Sequence, residues 1–113
     1  MATPAENRPY FSVSTIAVKA DKIDEAFASF QEIAEETAKE PGAKVYRFYK
    51  VEGKNEFVWI EKFESREAYT AHVQSSHVQA WAKKYMGSDL FDGTFEFHPL
   101  SESGPGAGGF ERN

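Results

Sequence analysis

The stretch EFVWIEKFE, residues 56–64, is apolar on both of its alternating faces, with Phe57, Trp59 and Phe63 on one side and Val58 and Ile60 on the other. Successive side chains of a strand point to opposite faces, so such a strand needs cover on two sides. The segment YFSVSTIAV, residues 10–18, repeats the pattern, with Phe11 and Val13 facing one way and Ile16 and Val18 the other. With 113 residues the chain has room for one domain and a modest core. Helices of such a domain cover one face of a sheet. The other face must meet something else, and the simplest cover is a second copy of the same sheet, hence a homodimer.

The rest of the chain supplies the helices. From Lys22 to Lys39, Ile23, Ala26, Phe27, Phe30, Ile33, Ala34 and Thr37 recur at helical spacing. Asp21 is placed to cap this helix and Pro41-Gly42 to stop it. KVYRFYKV (44–51) and EFVWIEKFE then read as a hairpin around the turn EGKN. A second helix opens at Ser65 as N-cap, with Ala68, Tyr69, His72 and Val73 on one face. Ser76 to Gln79 fits a capping box, which predicts a break and a further short helix burying Val78, Trp81, Ala82 and Tyr85. GTFEFHPL (93–100) alternates as a last strand. The order β-α-β-β-α-β predicts an α+β, ferredoxin-like domain over residues 10–100. It is flanked by a polar N-terminal segment (1–9) and a Gly-rich C-terminal tail (101–113).

Composition narrows the functions. Thirteen Lys plus Arg against eighteen Asp plus Glu give a net charge of −5, the wrong sign for a nucleic-acid partner. Without cysteine there is no disulfide, thiol chemistry or Cys-ligated zinc. No apolar run suits a signal peptide or a membrane span, so a cytoplasmic protein without a membrane partner is expected. Ten Phe, five Tyr and two Trp call for an aromatic core or an aromatic-lined cavity.

The segment AYTAHVQSSHVQAWA (68–82) holds the residues of most chemical interest. A metal pair on one helix wants a spacing of three or four, whereas His72 and His77 are five apart, so no metal site is expected. His72 shares the apolar stripe of its helix. It is either a core histidine bonded to a backbone carbonyl or to Glu61, or a proton acceptor on a pocket wall. His77 falls in the first turn of the short helix, where the helix dipole favours the neutral ring; it is a surface residue or a second candidate base. Glu61, mid-strand, requires a partner if it faces inward, and a helix side chain is the expected one. Tyr46, Phe48, Trp59, Tyr69, Trp81, Phe91 and Phe95 are the candidate substrate-binding walls, with plain core packing as the other reading of each.

EPGAKVYRFYK followed by FVWIEKFESREAYTAHVQSSHVQAW resembles the antibiotic biosynthesis monooxygenase family over about Tyr10 to Leu100. Phe63 stands where the family has Trp, and Ser76 where it often has Pro. The resemblance implies a dimeric α/β barrel with a pocket between sheet and helices. It also implies a cofactor-independent monooxygenase that oxidises a small apolar or aromatic molecule, such as a quinol, anthrone or polyketide, with O2 and no metal or flavin. His72 would then be the leading base, His77 the second, and Glu61 the residue orienting its partner. Two rivals come with the resemblance. Haem-degrading relatives use Trp and His on the second helical segment and Asn on the first strand; here His72 and Ala82 stand at the former, and Ser12, Ser14 and Thr15 on the latter. A non-catalytic binding or stress-associated barrel is the other. The doubly apolar strands generate a direct test: light scattering at micromolar concentration is expected to return a dimer, and a stable folded monomer would contradict the face-to-face sheets.

Overall fold

The computed structural model describes residues 8–101 and 106–113; most of the N-terminal segment and residues 102–105 of the Gly-rich tail lie outside the described residues. The elements are β1 (Tyr10–Ala17), α1 (Ile23–Thr37), β2 (Ala43–Lys50), β3 (Glu56–Phe63), α2 (Arg66–Gln74), α3 (Ser76–Tyr85) and β4 (Glu96–Leu100). The strands form one antiparallel sheet in the order β2-β3-β1-β4. This is the ferredoxin-like α+β arrangement that the sequence predicts. Among the described residues no helix is long and apolar enough to cross a membrane.

Packing on the helix side converges on Phe30 of α1, which is fully buried. Its ring meets Phe57 and Trp59 edge-on at 5.1 Å, Phe48 at 5.6 Å and Phe91 in a stacked arrangement at 6.0 Å. Trp81 of α3 ties in by donating its indole N–H to the Ser29 carbonyl at 2.8 Å. Among the described residues no helix lies over the opposite sheet face. Phe11, Val13 and Ala17 are only half-buried there, and Tyr49, Ile60 and Leu100 are exposed. The register places these residues together: Val13 pairs with Ile60, Phe11 with Leu100, and Tyr49 with Val58.

Local details differ from the sequence reading in three places. Asp21 does not cap α1; it lies inside a 3₁₀ turn at Ala20–Lys22, and no side chain caps the helix. The buried stripe of α1 runs through Ala26, Ser29, Phe30, Ile33 and Thr37, which leaves Phe27 at its edge and 50% exposed. The break after α2 is where it was expected, but its cap is Ser75 rather than Ser76. The Ser75 hydroxyl accepts from the Val78 N–H at 3.3 Å and donates to the His72 carbonyl at 2.6 Å, serving the end of one helix and the start of the next. Gln79 does not close a capping box; its side chain donates to the Val73 carbonyl. The chain turns at Ser75, and Val73 is consequently exposed rather than buried.

Ser65 caps α2 as predicted, accepting from the Ala68 N–H at 3.0 Å. Pro41-Gly42 ends the first helical run and does something further. A Cβ on Gly42 would lie 2.8 Å from the Ala68 Cβ, so glycine lets the chain after α1 pass against α2. The Gly42 carbonyl accepts from the Glu64 N–H at 2.8 Å, holding that passage. Gly42→Ala is therefore expected to cost about 1–3 kcal/mol through overpacking, read as a lower denaturant midpoint at unchanged slope.

Candidate functional site

The covered face of β1 carries Tyr10, Ser12, Ser14 and Ile16, all buried. Two small hydroxyl residues in a row of large apolar ones leave space beside them. That space is a cavity of about 140 Å³ lined by Ser14, Ile33, Tyr46, Trp59, Glu61, Trp81, Phe95 and Phe97. Its walls come from β1, α1, β2, β3, α3 and the approach to β4. Phe97, 40% exposed, marks the rim.

A buried carboxyl beside this apolar space sets its chemistry. Glu61 is buried and accepts a hydrogen bond from the Ser12 hydroxyl at 3.3 Å. Burial pushes its carboxyl up to about 7; the Ser12 bond opposes that rise and the Glu40 charge adds to it. The helix side chain expected as its partner is not there. The neighbour across the ladder is Ser12 of β1, because the antiparallel register sets the two residues opposite each other. The indole N–H of Trp59 is buried and without a hydrogen-bond partner among the described residues. A buried donor without an acceptor is costly.

Of the sequence-predicted residues, Glu61, Tyr46, Trp59, Trp81 and Phe95 line this cavity. Phe48 and Phe91 pack behind it on Phe30. Tyr69 stacks on Tyr10 at 4.4 Å and on Phe97 at 5.7 Å. Burial first, and then the Glu61 charge, raise the hydroxyls of both Tyr46 and Tyr69 well above the usual phenol range, so both stay protonated.

The histidines lie elsewhere. His72 is buried outside the cavity lining, its ring against Tyr46, Phe63 and Tyr69. Its Nδ1 lies 2.8 Å from Glu40 Oε2, and His77 Nε2 lies 2.6 Å from the same oxygen. Neither a backbone carbonyl nor Glu61 is the partner that holds His72 in place. Burial lowers the pKa of His72, opposed by its bond to and the charge of Glu40, and His77 lowers it further. At a spacing of five, two rings on one continuous helix would diverge. They converge instead, because the chain bends at Ser75 between them.

Glu40, Ser14, Ile33 and Phe97 were not singled out from the sequence as site residues. Ser14 carried a signal, a small polar residue in register with the core face of a strand. Glu40 carried only its place next to the Pro-Gly helix stop.

The sequence model of the family described as Antibiotic biosynthesis monooxygenase matches residues 9–84. No protein with a curated description matches the chain. Among solved structures, a conserved protein from Methanosarcina mazei Go1 is 20% identical with a TM-score of 0.77, covering 88% of this chain and 97% of that one. Rv0793 from Mycobacterium tuberculosis is also 20% identical, with a TM-score of 0.75 over 88% of this chain and 99% of that one. An antibiotic biosynthesis monooxygenase is 18% identical, with a TM-score of 0.74 over 83% and 98%. At these identities the likeness is one of fold.

The raised carboxyl has a consequence for stability. A carboxyl whose folded value lies above its ordinary 4.5 binds its proton more tightly in the folded protein. Its penalty is absent below pH 4.5, grows as the pH rises, and is complete above about 7. At roughly 1.4 kcal/mol per pH unit the cost approaches about 3 kcal/mol. Glu61→Gln is therefore expected to be more stable than the native protein at pH 8 by up to about that amount. The two should be equally dependent on pH below 4.5, which chemical denaturation at pH 4, 6 and 8 would check.

Proposed function

The chain belongs to the antibiotic biosynthesis monooxygenase family, and on that premise we propose that it oxidises a small, electron-rich aromatic bearing an ionisable oxygen, with molecular oxygen as the oxidant. The observation that carries this reading is Glu61, held near pH 7 in an aromatic cavity. A general base works best when its pKa lies near the working pH. A cavity of about 140 Å³ is close to the size that admits one benzene ring, so a quinol or anthrone enters by one ring and leaves the remainder at the rim near Phe97.

Glu61 is the base in this scheme, in place of His72, because it borders the space where the substrate would sit. It removes a proton from the phenol or enol. The anion passes one electron to O2, which asks for no metal or flavin. The resulting radical and superoxide combine to form a C–O bond. For an anthrone-type CH2, loss of water from the hydroperoxide leaves one oxygen atom as a new carbonyl and the other as water. Tyr46, Trp81 and Phe95 supply a water-poor wall and orientation.

The active unit in this reading is a homodimer joined through the uncovered sheet face. Tyr49, Ile60 and Leu100, 39 to 46% exposed in the single chain, form an apolar patch with the half-buried Phe11 and Val13.

Oxygen consumption across a panel of quinols and anthrones tests the scheme. With a substrate that turns over, kcat/KM is expected to rise through pH 7, and Glu61→Gln to lower it by about 10²-fold or more and flatten the profile. Full turnover in the folded Gln variant would remove Glu61 from the role of base.

A further inference from the structure

We infer that Glu40, His72 and His77 form a binding site for one first-row divalent cation per chain, of the zinc or cobalt type, separate from the aromatic cavity. The three residues come from the turn after α1, from α2 and from α3, and are brought together only by the bend at Ser75. Each offers one ligand atom, and these atoms all lie within 4.8 Å of one another. Two imidazole nitrogens and one carboxylate oxygen are a donor set that such cations favour.

The geometry is close to what an ion requires. Bonds of about 2.0–2.2 Å in a tetrahedral site set ligand atoms about 3.4 Å apart. The present N···O separations are 2.8 and 2.6 Å, so the carboxylate has to withdraw by less than about 1 Å, and the two imidazole nitrogens, within 4.8 Å of each other, close up by at most about 1.4 Å. Glu40 lies beyond the helix end in a turn, with its side chain 18% exposed, and has room to make that movement. An ion would take the lone pairs of His72 Nδ1 and His77 Nε2, leaving each ring proton on its other nitrogen.

Three protein ligands leave at least one position open. His77 also lines a surface cavity of about 190 Å³ beside Glu36 and Trp81, through which a water or a small anion reaches the site. None of the three ligands borders the aromatic cavity; Tyr46 stands between, its ring 5.3 Å from that of His72 and its other side on the cavity. Binding here is thus independent of the oxidation proposed above and can be measured without any substrate.

Metal-free full-length protein is titrated with Zn2+ by calorimetry and with Co2+ by visible absorption. One equivalent per chain is expected, with ligand-field bands for Co2+. His77→Ala and Glu40→Gln are each expected to weaken binding by about 10²-fold or more, since removal even of groups that only orient ligands costs 10–100-fold. His98→Ala, on β4 and outside the cluster, should bind as the native protein does. Circular dichroism checks that the variants are folded. His77 is only half-buried, so its variant carries the test if Glu40→Gln does not fold. Absence of saturable binding, or binding that persists in folded His77→Ala, would overturn the site.

Discussion

The burial of Phe30 is the constraint on which the other features rest. One ring on α1 receives Phe48 from β2, Phe57 and Trp59 from β3, and Phe91 from the segment before β4. A fully buried aromatic contributes roughly 1.5–3 kcal/mol through the area removed from water, and edge-to-face pairs add to it. The same contact fixes the height of α1 over the sheet. That in turn decides where Glu40 emerges at the helix end, how far Trp81 reaches toward the Ser29 carbonyl, and how much space remains next to Ser14. Both the aromatic cavity and the Glu40 cluster are products of one packing arrangement.

Charge is distributed between these two sites in opposite ways. Glu40 is partly exposed, and one of its carboxylate oxygens stands within hydrogen-bond distance of two imidazole nitrogens. Glu61 is buried with one hydroxyl, which is too little to hold a carboxylate at its ordinary value. A fold that retains an under-compensated carboxyl among aromatic walls gives up stability at neutral pH. In the function proposed above, that group exchanges a proton with the ligand.

The histidines show how far helical spacing carries and where it stops. Five residues on a continuous helix set two rings well apart. That holds only while the helix continues. The sequence around Ser75 and Ser76 signalled a new start, yet the angle between the two helices is not encoded in a capping residue. It follows from how Val78 and Trp81 settle against α1 and the sheet. Glu40 could not be read as their partner for a similar reason, since it lies 32 and 37 residues away in the chain.

From its sequence alone the chain determined element order, the two-faced strands, the helix break and the aromatic content, because these follow from residue periodicity and local hydrogen bonding. Ser65 as a cap, the hairpin around EGKN and the apolar face with Ile60 were all legible there. The tertiary structure decided which aromatics enclose space rather than fill it, that Glu61 faces Ser12 instead of a helix, and that two histidines share one carboxylate. Those outcomes depend on the angles and separations at which helices settle on the sheet. Side-chain volumes from distant parts of the chain set these jointly, and no local stretch carries the sum.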